Sequence, residues 1–207
     1  MCQTSTVSDR GYAFRIQCHT ELGTQQSSRP LELSHFLSLR KALLPGILHW
    51  DGTSWTARAS GTTSYLYGGI WGSAANDVWA VGDQGIILHW DGTSWTVKPS
   101  GLTGPLLGVW GSAANDAWAV SYAGTILHWN GSSWSAKPSG TTNPLFGIWA
   151  SAANDAWAVG SFGSILHWDG ISWTARTSGT TAHLRGVWGR AGQVWIAGES
   201  GVILFHR

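Results

Sequence analysis

All sixteen tryptophans of this 207-residue chain fall on four positions of one repeating unit. Trp71, Trp110, Trp149 and Trp188 stand 39 residues apart. Trp79, Trp118, Trp157 and Trp195 keep that spacing to within one residue, as do Trp50, Trp90, Trp129 and Trp168, and Trp55, Trp95, Trp134 and Trp173. A fixed period of this length means one supersecondary unit that buries its apolar surface by stacking on its neighbours.

The unit from Leu106 to Gly140 reads LLGVWGSAANDAWAVSYAGTILHWNGSSWSAKPSG. Turn residues divide it into four short runs rich in aromatic and β-branched residues, none long enough for a helix. Asn130-Gly131 is a hairpin signal before the fourth run, and Asp-Gly takes its place at Asp51, Asp91 and Asp169. The fourth run carries Pro99 or Pro138 and a cation (Arg58, Lys98, Lys137 or Arg176). A sheet edge tolerates these residues, which makes this the outermost strand. The sequence therefore predicts an all-β chain, a β-propeller of about four four-stranded antiparallel blades.

The partial blade 46–61 supplies only third and fourth strands, followed by blades 65–101, 105–140 and 144–179. The last unit, 183–207, has no fourth strand. Two architectures fit this count, a complete small ring and an open fragment of a larger one. Residues 1–45 hold no tryptophan and no trace of the unit. They are expected to be foreign to the repeat, and either poorly ordered or with one short helix over LELSHFLSLRKALL.

Charged residues are 11% of the chain and the net charge is +1. No basic field exists to hold nucleic acid. No apolar stretch reaches the roughly 18 residues of a membrane span, and the opening MCQTSTVSDRGYAFRIQ lacks a secretion signal's apolar run. Cys2 and Cys18 lie outside the repeats and read as neither a metal site nor a needed disulfide.

The units GSAANDVWAVGDQGIILHWDGTSW and GSAANDAWAVSYAGTILHWNGSSW resemble the tryptophan-rich, WD-like propeller repeats of bacterial surface and secreted proteins. The hairpin DGTSW also resembles a shortened Asp-box, the turn between third and fourth strands of bacterial neuraminidase repeats. It lacks the leading serine and one residue of that turn. The resemblance covers residues 46–207 and implies the fold and an extracytoplasmic or secreted setting. It says little about activity.

The recurrent histidines His49, His89, His128 and His167 occupy one strand position in successive units. Equivalent positions lie far apart around a propeller and cannot share an ion. Each is expected to satisfy a backbone group inside its own blade. The tryptophans are expected in the core, each burying about 200 Å². Asn76-Asp77, Asn115-Asp116 and Asn154-Asp155 read as turns in which Asx side chains cap backbone groups. No phosphate loop, nucleophile elbow or calcium loop is present. A glycosidase needs two facing carboxylates, and within residues 46–207 only Asp83 and Glu199 lie outside the repeated turns. The sequence predicts no catalytic residue, metal or cofactor.

Comparison between units separates scaffold from specialisation. The first-to-second and third-to-fourth connections barely change. Variation gathers in the other two, at Tyr65, Tyr67, Asp83, Gln84, Leu107, Tyr122, Phe146, Phe162, His183, Arg185 and Glu199. In an up-and-down blade alternate connections share an end, so these residues are expected on one face, as the ligand-binding candidates. The leading expectation is a non-enzymatic module that binds a glycan or a protein there. The rivals are a fragment of a neuraminidase-type hydrolase, and a purely structural array or gene fragment. The incomplete terminal blades offer edges for self-association.

Overall fold

A computed structural model describes residues 46–207 apart from Ala191, together with the segments 2–4 and 16–18. The segments are strands β1 (Cys2–Thr4) and β2 (Ile16–Cys18), an antiparallel pair with Cys2 opposite Cys18. They belong to a unit of their own, Met1–Ala42. The helix expected over 31–44 lies outside the described residues.

The repeats begin with β3 (Gly46–Trp50) and β4 (Trp55–Ala59), a two-stranded sheet. The first complete blade is β5 (Ile70–Ala74), β6 (Asp77–Val81), β7 (Ile87–Trp90) and β8 (Trp95–Lys98). The second is β9 (Leu106–Ala113), β10 (Asp116–Ser121), β11 (Ile126–Trp129) and β12 (Trp134–Lys137). The third is β13 (Leu145–Ala152), β14 (Asp155–Gly160), β15 (Ile165–Trp168) and β16 (Trp173–Arg176). A terminal sheet of β17 (Leu184–Arg190), β18 (Gln193–Gly198) and β19 (Ile203–His206) follows. Every sheet is an antiparallel meander in sequence order. This is the predicted propeller architecture, as an open arc rather than a closed ring.

First strands pack on first strands, β5 on β9, β9 on β13 and β13 on β17, and so line the inner side of the arc. The fourth strands, with their prolines and cations, take the outer edge as expected. The third-to-fourth connection is a four-residue loop rather than a two-residue hairpin, because Trp50 pairs with Trp55, and Trp90 with Trp95. Asp91 closes it by accepting hydrogen bonds from the amides of Thr93 and Ser94 at 2.8 and 2.9 Å.

Strand pleating gives each blade two apolar faces. One carries the second-strand tryptophan, and the other carries the third- and fourth-strand pair. Trp79 enters the pair Trp129 and Trp134 of the next blade at 4.8 and 5.2 Å. Trp118 enters Trp168 and Trp173 at 5.2 and 5.3 Å and is fully buried. Aromatic rings at these separations gain beyond simple area burial. The third interface differs, since Trp157 meets His206 at 5.0 Å where a tryptophan would otherwise stand.

Candidate functional site

Within the blades the two kinds of connection separate to opposite ends. A Cβ placed on Gly131 would lie 3.0 Å from Cβ of Asn115, and one on Gly170 would lie 2.9 Å from Cβ of Asn154. The first-to-second and third-to-fourth turns therefore touch, and they form the repeated end.

At the other end the remaining two connections are tied by backbone hydrogen bonds. The amides of Asp83, Tyr122, Ser161 and Glu199 donate to the carbonyls of Tyr65, Pro105, Pro144 and His183, at 2.8, 3.0, 2.9 and 2.8 Å. Strand entry and loop tip are thereby fixed against each other in every unit. The close approach requires glycine at the strand exit in most units. A Cβ at Gly160 would lie 2.1 Å from the Pro144 carbonyl oxygen. All of the binding candidates sit on this end.

Equivalent positions there carry a different pair in each unit. In the first blade burial and then the neighbouring Asp83 carboxylate push the Tyr67 phenol above its ordinary range. In the second, Leu107 is half-buried while Tyr122 stands exposed. In the third the pair is Phe146 and the buried Ser161, and the next residue, Phe162, stands 66% exposed at the loop tip. In the terminal sheet the Arg185 guanidinium binds Glu199 through Nε at 3.0 Å, and this hydrogen bond holds the carboxylate below its ordinary range. Tyr65 and Gln84 are exposed beside the first of these pairs.

Five candidates converge. Arg185 lies over the Phe146 ring at 4.1 Å. His183 stands edge-on to Phe146 and Phe162 at 6.1 and 5.4 Å. With Glu199 they form one aromatic and charged cluster across the third blade and the terminal sheet. Tyr65, Tyr67, Asp83, Gln84, Leu107 and Tyr122 lie on the same end but belong to the first two blades.

The loop tips are also conformationally unusual. Gln84, Phe162 and Ser200 adopt φ of 56°, 55° and 58°. A bulky residue held in the left-handed region costs free energy, and such positions concentrate where side chains are displayed for function. This feature was not visible in the sequence, where the three tips share no residue type.

The recurrent histidines correct the sequence expectation. They bind side chains rather than backbone: His89, His128 and His167 place Nε2 at 2.7, 2.7 and 2.9 Å from Oδ1 of Asp77, Asp116 and Asp155. The same carboxylates accept from Ser73, Ser112 and Ser151. These aspartates therefore hold side chains rather than cap turn amides. The second-strand tryptophan stacks on the imidazole at 4.1–4.3 Å in all three blades. A polar group inside a sheet interface needs a partner, and the carboxylate between hydroxyl and imidazole satisfies both. The hydroxyl is hydrogen-bonded to the carboxylate and not to the imidazole, so these residues do not form a nucleophile backed by a histidine base.

No protein-family model matches the chain, and no curated protein does. Solved propellers do. A structure of YCF48 bound to D1 peptide is 20% identical with a TM-score of 0.59, over 74% of this chain and 53% of that one. YCF48 from Cyanidioschyzon merolae is 22% identical with a TM-score of 0.56, over 70% and 54%. The WD40 β-propeller domain of Doa1 is 10% identical with a TM-score of 0.64, over 75% and 55%. These likenesses show the fold, and the chain spans about half the length of each of these structures.

Proposed function

We propose that this chain is a non-enzymatic interaction module that takes a protein segment on the varied end of its blades. The observation that carries this reading is the cluster of Phe146, Phe162, His183, Arg185 and Glu199. It joins exposed rings to a fixed ion pair, on loops that differ between units while the opposite end stays constant. Aromatic residues and arginine dominate the energetics of protein recognition. The fold likeness to YCF48, a protein described as bound to a D1 peptide, supports a peptide as the kind of partner. Against hydrolysis, of the two carboxylates outside the repeated turns of residues 46–207, Glu199 is already held by Arg185. The resemblance to surface and secreted repeat proteins supports an extracytoplasmic setting.

A glycan is the second reading. Tyr65 and Tyr122 present open rings on which a sugar can stack. Parallel screening of the purified chain on peptide and glycan arrays separates the two. Peptide hits that weaken at least tenfold in Phe162→Ala and Tyr122→Ala support the protein reading. Glycan hits alone overturn it.

A further inference from the structure

We infer that the chain assembles head to tail with a second copy of itself, the terminal sheet of one copy packing on the β3–β4 sheet of the next. Each internal interface has a donor face, with its second-strand tryptophan, and a receptor face, with the third- and fourth-strand pair. Among the described residues one face of each kind is uncovered. The terminal sheet exposes a donor face of Trp188, Trp195, Ile203 and Phe205. The first sheet exposes a receptor face of Leu48, Trp50 and Trp55.

Both uncovered faces already hold the geometry of the covered ones. Trp50 and Trp55 stand 5.5 Å apart at 47°. The receptor pairs Trp90–Trp95, Trp129–Trp134 and Trp168–Trp173 stand 5.7, 5.9 and 5.8 Å apart at 42–43°. On the donor side Trp195 stacks on Phe205 at 4.5 Å and 37°, as Trp118 stacks on His128 at 4.1 Å and 32°. Arg190, Gln193 and Phe205 stand at the places of Ser151, Asp155 and His167, so the polar triad is absent from the uncovered donor face. Large contiguous apolar surface is rare on a soluble monomer.

The occupant is specified by this chemistry. As Trp118 is met by Trp168 and Trp173, Trp195 is matched by a tryptophan pair of the β3–β4 kind, and that pair by a tryptophan of the β18 kind. A second copy supplies both. Donor and receptor are different surfaces, so the contact is heterologous, and its propagation gives a ring or a filament according to whether the rotation closes.

Sedimentation of the full chain should show species of two or more copies that grow with concentration. Trp195→Glu, and separately the double change Trp50→Glu/Trp55→Glu, should each give monomers. An equimolar mixture of those two variants should give a one-to-one pair, because each retains the face that the other lacks. Ile203→Glu, on the same donor face, should match Trp195→Glu, and near-ultraviolet circular dichroism should show all variants folded. A wild-type chain that stays monomeric at every concentration overturns the inference. So does a Trp50→Glu/Trp55→Glu variant that still self-associates, since that would mean donor meeting donor.

Discussion

The backbone amide of Phe162 donates a hydrogen bond to Nδ1 of His183, 3.2 Å away, tying the loop tip of the third blade to the entry of the terminal sheet. The bond is accepted by the lone pair on Nδ1. It also helps to hold Phe162 at a φ of 55°. Phe162→Gly removes the conformational cost together with the ring. Its unfolding free energy in urea should stay within about 1 kcal/mol of the parent, while peptide binding falls at least tenfold. A loss above about 2 kcal/mol would make the ring a packing element rather than a displayed one.

Equivalent tryptophans should differ in worth because their surroundings differ. Trp118 is fully buried between two blades, whereas Trp195 is 46% exposed. Trp118→Ala should cost about 3–5 kcal/mol. Trp195→Ala, measured on dilute protein, should cost about 1 kcal/mol or less. Equal losses at both positions would show that the uncovered face is covered in solution even at low concentration.

The fold was legible because tryptophan spacing reports stacking directly, and the end to which each connection belongs followed from counting strands. The triads were missed because Asn76-Asp77 and its repeats read as turn residues. A signal was present all the same. Ser73, Asp77 and His89 recur together as Ser112, Asp116 and His128, and again as Ser151, Asp155 and His167. All three are replaced together in the last unit, by Arg190, Gln193 and Phe205. Joint retention and joint loss mark residues that contact one another. The left-handed tips at Gln84, Phe162 and Ser200 carried no such mark, because only the surrounding backbone bonds impose that conformation.

The second blade already contains a natural substitution at the four-residue loop. Asn130 stands where Asp91 stands in the first blade, and it accepts the amides of Ser132 and Ser133 at 3.0 Å each. The amide oxygen therefore does the same work as the carboxylate. Asp91→Asn should change thermal stability by less than about 0.5 kcal/mol at neutral pH. Asp116→Asn is different, because Asp116 is buried and shared by His128 and Ser112. It should cost about 1–3 kcal/mol in urea unfolding. Similar losses in the two variants would remove the distinction between loop aspartate and triad aspartate.

Acid should unfold this chain through its aspartates. Burial raises Asp116 and Asp155, but hydrogen bonds from His128 and Ser112, and from Ser151 and His167, outweigh it and leave both below the ordinary range. The loop residues Asp51 and Asp91 are lowered by hydrogen bonds from the amides and hydroxyls that follow them, and Asp169 by those from the amides of Ser172 and Ile171. A folded-state value below the unfolded one means that the native state holds the carboxylate ionised more strongly. That contribution is complete above the unfolded value of about 4 and is lost as pH falls through the folded values. The melting temperature should therefore be flat between pH 7 and about 5 and fall steadily toward pH 2. Asp116→Asn should start lower at pH 7 and fall less, so that the two curves converge in acid. Parallel curves would show that the triad carboxylate is not among the groups whose protonation unfolds the protein.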